Sequence, residues 1–177
     1  MLGARQVHQD SKSIIVGLGN SIMCDDAIGP VVAQRIRERI GEREDLAVVE
    51  AAVGGFELVE LVLGYDKAVV VDAIQTEGGI PGDHYLLDLE GSQFRGQVTL
   101  SHQVGLIEGL DMMRRLGTNV PHDFRVYAVE VVDPYTFSTE LTPHVAACVD
   151  RVADAILAEE FPGLIEELDG VNRRGNR

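Results

Sequence analysis

One stretch limits what this chain can become: Ile14–Gly29, IIVGLGNSIMCDDAIG. Ile14, Ile15 and Val16 form an apolar, β-branched run that ends in the turn Gly17-Leu18-Gly19. A polar loop with two adjacent acids follows, Asn20 to Asp26, and an amphipathic pattern begins near Ala27. Strand, tight loop and helix in this order open an α/β sheet. Sheets of that kind carry their sites outside the carboxyl ends of the strands.

The Gly-x-Gly turn is not a dinucleotide fingerprint. The third glycine would fall at position 22, which is Ile22, and the helix starts too late for its amino terminus to lie under a pyrophosphate. A Walker loop is excluded because no Gly-Lys-Ser/Thr occurs. The loop instead delivers Asp25 and Asp26 to the mouth of the sheet, where acids repel phosphate and attract a cation.

The rest of the chain repeats the alternation. Val32, Ile36 and Ile40 recur at helical spacing after Pro30. Leu46–Glu50, Ala68–Asp72, His84–Asp88, Val98–His102 and Phe124–Val132 read as strands, with His84–Asp88 toward an edge. Helices are expected around Leu58, Leu61 and Val62, around Leu106, Leu110 and Met113 with Ser101 as N-cap, and from Thr142-Pro143 through Val145, Val149, Val152 and Ile156. The expected fold is therefore a three-layer α/β/α sandwich on a largely parallel twisted sheet of about five strands. Right-handed crossovers bring the loops after its parallel strands to one rim. Residues 1–12 read as a flexible arm, 13–161 as a single α/β domain and 162–177 as a C-terminal tail.

Composition narrows the partners. With a formal net charge of −14 over 177 residues, nucleic acid and anionic membrane are unfavourable partners. Cys24 and Cys148 form no Cys-x-x-Cys pair, which removes zinc-knuckle and thioredoxin-like readings. The polar start and the lack of an apolar run of membrane length make the cytoplasm the expected compartment.

Three residues on the rim suit a divalent transition ion: Asp26 after the first strand, Asp72 at the end of the third, and His102 at a helix entrance. Three protein ligands leave positions for water or for groups on a partner. Each residue also has a plainer use. Asp26 by position alone is best read as a helix cap. Asp72 could bond neighbouring backbone amides. His102 reads equally as a first-turn helix residue. Asp25 is expected to be solvated or capping, and His84, His122 and His144 to lie in edge, loop and surface contexts. Cys148 falls on a core stripe, and no basic neighbour in sequence activates Cys24. The absence of H-E-x-x-H excludes a thermolysin-type zinc protease, and no G-x-S-x-G nucleophile elbow occurs, which leaves an esterase-like or aminopeptidase-like hydrolase a minor alternative. Spacing alone thus reaches a cation site and no reaction.

GLGNSIMCDDAIG (17–29), VVVDAI (69–74), SHQVGL (101–106) and TPHVAACVDRVADAI near the end resemble the hydrogenase maturation endopeptidases. The resemblance spans roughly Ser13 to Glu159. It implies an α/β/α sandwich and an endopeptidase that removes a short carboxy-terminal extension from the nickel-loaded large-subunit precursor of a nickel–iron hydrogenase. By resemblance the nickel-recognising and catalytic positions are Asp26, Asp72 and His102. The nickel is substrate-borne, with cadmium or zinc substituting in vitro. The implied partner is the precursor itself, met by a monomer without nucleic acid or membrane. A non-proteolytic metal-binding checkpoint or chaperone in hydrogenase assembly is the alternative. One departure stands out. Many relatives carry an acid-Gly-Gly-Thr-like element after the second strand, whereas here Glu50-Ala51-Ala52-Val53 is followed by Gly54 and Gly55.

Overall fold

In the computed structural model, residues 12–87 and 105–175 are described. Five strands form one sheet: β1 (Ser13–Leu18), β2 (Leu46–Ala51), β3 (Lys67–Ile74), β4 (His84–Leu87) and β5 (Asp123–Glu130), in the order β2-β1-β3-β5-β4. β2, β1, β3 and β5 run parallel, and β4 pairs antiparallel with β5 at the edge. The helices are α1 (Ile28–Ile40), α2 (Gly55–Val62), α3 (Leu106–Arg115), α4 (Pro143–Ala146), α5 (Val149–Glu160) and α6 (Pro162–Gly175). A single 3₁₀ turn, Cys24–Ala27, precedes α1.

The side-chain alternation of the strands builds two cores. Ile15, Val69, Val71, Tyr127 and Val129 face α1, α4, α5 and α6. Ile14, Val16, Ala68, Val70 and Val126 face α2 and α3. Strands buried on both faces can be continuously apolar, which explains why β1 and β3 carry unbroken Ile/Val runs. The expected three-layer α/β sandwich is what the chain forms.

Several elements differ in detail from their sequence reading. β3 continues through Ala73 and Ile74 because both pair with β5, opposite Val129 and Glu130. The expected last helix is two: α4 ends at Ala146 and α5 starts at Val149, with Val145, Val149, Val152 and Ile156 all buried across the break. Where a tail was expected over 162–177, α6 spans Pro162–Gly175 and buries Leu164 against the α1–α5 core. The expected arm 1–12, apart from Lys12, and the expected strand Val98–His102 lie outside the described residues.

Candidate active site

The strand order reverses between β1 and β3. The chain leaves β1 through α1 on one face to reach β2, then returns through α2 on the other face to reach β3. The carboxyl ends of β1 and β3 therefore flank a topological switch point, the place where open α/β sheets bind ligands. Asp26 stands in the loop after β1. Asp72 stands on β3 one residue past Val71, the last β3 residue paired with β1.

Backbone-to-backbone packing holds this corner. A Cβ at Gly29 would lie 2.2 Å from the Leu18 carbonyl oxygen and 2.5 Å from that of Val71. A Cβ at Gly17 would lie 2.3 Å from the Gly29 carbonyl oxygen, and one at Gly19 only 1.8 Å from that of Asp26. Gly19 also has φ 138°, outside the ordinary range of L side chains. The glycines of the Gly-x-Gly turn thus seat the chain's own loop and first helix turn. No pyrophosphate is needed to explain them.

Asp26 is not the expected helix cap. No side chain caps either the 3₁₀ turn or α1. The Asp26 carboxylate instead accepts the Asn20 amide at 2.7 Å, closing the loop on itself, and the side chain remains partly exposed. Asp72 is fully buried, and Oδ1 accepts the amide of its neighbour Ala73 at 2.9 Å. By alternation it shares a face with Ala68 and Val70, the face covered by α2 and α3. His102 lies outside the described residues. Among the described residues no three His, Cys, Asp or Glu side chains gather as a ready metal cage.

Asp25 departs most from its sequence reading. It is fully buried rather than solvated. Its Oδ2 accepts the amides of Val132 at 3.1 Å and Asp133 at 3.0 Å and the Thr142 hydroxyl at 2.9 Å, while Oδ1 accepts the Thr142 amide at 2.7 Å. Four donors compensate the loss of hydration that a buried carboxylate suffers. Thr142 is the residue before α4, as expected, but its hydroxyl serves Asp25 rather than the helix.

Cys24 is buried, with φ 31°, and its thiol donates to the Glu140 carbonyl at 3.4 Å. Burial, and then the Asp25 carboxylate, push that thiol up, which disfavours the nucleophilic thiolate. Burial likewise pushes up Cys148, which packs in the α5 core.

Sequence reasoning passed over Glu130 as more than a strand end. It is buried at the carboxyl end of β5, accepting the Thr76 amide at 2.7 Å and the Thr76 hydroxyl at 2.8 Å. Gly79 packs against it so closely that a Cβ there would lie 2.1 Å from Glu130 Cδ. The signal was available: Glu130 ends an apolar parallel strand much as Asp72 follows one. His84 sits on edge strand β4 with its ring centroid 6.2 Å from that of Tyr127. His122 lines a groove of about 530 Å³ with Leu86, Leu110, Arg114 and Phe124, where β5 begins, at the opposite end of the sheet from Asp26. His144 is exposed. After β2, Gly54 is extended and Gly55 takes φ 54° to start α2, so the glycine pair turns the chain two residues beyond the end of the strand.

Comparison with known proteins places this architecture. The sequence model of the hydrogenase maturation proteases matches residues 30–159. The hydrogenase 2 maturation protease of Escherichia coli is 26% identical over 149 residues, covering 82% of this chain and 88% of that protein. The hydrogenase expression/formation protein HupD of Bradyrhizobium diazoefficiens is 27% identical over 150 residues, covering 84% of this chain and 76% of that protein. The solved structure of the hydrogenase-maturating endopeptidase HybD from E. coli superposes with a TM-score of 0.70 at 25% identity, covering 83% of this chain and 90% of that one. A matched span that takes in β2 through α5, on the same fold, makes this chain a member of the hydrogenase maturation protease family, an endopeptidase of protein processing.

Proposed function

We propose that this protease removes a short carboxy-terminal extension from the nickel-loaded large-subunit precursor of a nickel–iron hydrogenase, reading the bound nickel through Asp26, Asp72 and His102. The observation that carries the reading is the pair of carboxylates at the switch point, Asp26 beyond β1 and Asp72 on β3. His102 enters the reading by the resemblance of SHQVGL (101–106). In sequence it precedes the start of α3 at Leu106 by four residues.

The nickel belongs to the substrate. Two carboxylates and an imidazole are a mixed oxygen–nitrogen set suited to a divalent transition ion, and cadmium or zinc would occupy the same donors in vitro. Too few ligands to close a coordination sphere suit a site that probes an ion already held by the precursor's own donors. Metal loading then becomes the condition for cleavage. Bound beside the scissile bond, the ion would supply Lewis-acid polarisation of the carbonyl or an activated water. The partly exposed Asp26 is the better placed of the two acids to take a proton, since the Asp72 carboxylate is buried and engages the Ala73 amide.

The test is to incubate the full chain with nickel-loaded and nickel-free precursors from its own organism and to read intact masses. Loss of one carboxy-terminal peptide from the loaded form alone is the expected result. Equal cleavage of both forms overturns nickel reading, and binding without any mass change overturns the cleavage assignment.

A further inference from the structure

Resting on the reading above, we infer that Ile22, Val132, Tyr135 and Phe137 form the docking surface for an apolar segment of the precursor flanked by basic residues, next to its cleaved end. Tyr135 and Phe137 are 75% and 79% exposed, and Ile22 and Val132 are exposed beside them in the chain's two rim loops. The loops are joined by backbone: the Ser138 amide donates to the Ile22 carbonyl at 3.1 Å and the Cys24 amide to the Ser138 carbonyl at 2.8 Å. Phe137 and Ile22 thus flank one short ladder, and Val132 hangs from the Asp25 carboxylate by its amide. Asp25 is the neighbour in sequence of Asp26, so the surface adjoins the candidate site.

The surface is held, not loose. Asp133 Oδ1 accepts the amides of Tyr135 at 3.1 Å and Thr136 at 3.0 Å, and the Gln75 side chain donates to the Val132 carbonyl at 2.8 Å. Ordering costs at an interface fall when aromatic side chains are mounted on a fixed backbone. Exposed aromatics clustered on such a mount are what a protein-binding surface requires.

Charge selects the occupant. Neither the loop from Gly19 to Asp26 nor the segment from Val131 to Thr142 contains a Lys or Arg, while the same two segments carry Asp25, Asp26, Asp133 and Glu140. An apolar centre in an acidic rim on a chain of net charge −14 repels acidic surfaces and attracts an apolar segment bordered by Lys or Arg. A second copy of this chain is disfavoured by the same charge.

The test is the affinity of nickel-loaded precursor for the full chain, measured by calorimetric titration for the native sequence, the double variant Tyr135→Ser/Phe137→Ser and the control Leu116→Ser. Leu116 is 67% exposed at the end of α3, away from this rim. The double variant is expected to bind about tenfold or more weakly, with an unchanged melting temperature because both side chains are solvent-exposed. Leu116→Ser is expected to match the native affinity, and native binding is expected to weaken as salt is raised. Equal affinity in the double variant overturns the inference, as does equal weakening in the control. Failure of the native chain to bind any loaded precursor also overturns it, as does a loss of self-association in the double variant on sedimentation. Patch-dependent binding with no change in precursor mass keeps the docking surface and overturns only the cleavage reading.

Discussion

The carboxylate of Asp25 holds both the amide and the hydroxyl of Thr142, at 2.7 and 2.9 Å, across 117 residues of sequence. The contact ties the loop after β1 to the entrance of α4. Replacing Asp25 with Ala would take the acceptor from the amides of Val132, Asp133 and Thr142 and from the Thr142 hydroxyl. The expected loss is about 3–5 kcal/mol of unfolding free energy in urea titrations. Thr142→Val removes one hydroxyl and leaves the amide bond, so it should cost about 1 kcal/mol. Equal costs for the two variants would refute the clamp.

The glycine seat makes a sharper forecast. Gly29→Ala drives a methyl into the carbonyl oxygens of Leu18 and Val71, which are backbone and cannot swing aside. About 3 kcal/mol or more of destabilisation is expected. Gly163 in α6 has open space around its missing side chain, so Gly163→Ala should be neutral or stabilising by up to about 1 kcal/mol. Thermal melts of the two variants against the native chain decide it.

At the candidate site, Asp26→Asn, Asp72→Asn and His102→Ala should each lower cleavage of nickel-loaded precursor by about a hundredfold or more. Asp26→Asn keeps an acceptor for the Asn20 amide, so its melting temperature should stay within a few degrees of native while processing fails. Processing retained in all three variants would remove these residues from the site. Intact-mass kinetics provide the readout.

Alkaline stability should fall in steps. Burial pushes the thiols of Cys24 and Cys148 above their ordinary 9.0, and burial together with the glutamates pushes Tyr127 well above its ordinary 10.0. A raised folded-state pKa gives stability that is complete below the unfolded value and is lost as pH rises toward the folded one. Loss should therefore begin above pH 9.0 for the thiols and deepen above pH 10.0 for Tyr127. Tyr127→Phe removes a hydroxyl lying 2.8 Å from Glu159 and 2.7 Å from Glu160. It should cost about 1–2 kcal/mol at neutral pH and flatten the decline above pH 10.0. Urea titrations from pH 7 to 11 test both signs.

The layers of the fold were legible because their cause is local. Continuous Ile/Val runs mark strands covered on both faces, and Val32, Ile36 and Ile40 mark the buried stripe of α1. The ends were less legible where distant pairing decides them. β3 gains Ala73 and Ile74 only because β5 lies alongside, and α6 was read as a tail because its apolar side chains acquire meaning only beside the α1–α5 core. By chemistry and spacing the adjacent acids could not be told apart, and only the resemblance singled out Asp26. Asp25 and Asp26 have the same chemistry and nearly the same place, and only the Val131–Thr142 segment, more than a hundred residues away, separates an internal anchor from a rim carboxylate.

That division of labour between neighbours fixes the length of their loop. Surface connections usually absorb insertions and deletions at small cost. Here a single residue added or removed between Gly19 and Asp25 would slide the acids by one position. A residue removed would slide Asp26 into the clamp and leave Ala27 at the rim, and a residue added would leave Asp25 at the rim and Cys24 in the clamp. The chain could retain every strand and helix and still lose its rim acid in the one case or its anchor in the other. For this family of turns, counting residues between the glycine and the acid pair is a more searching check on a homologue than comparing which residues fill the gap.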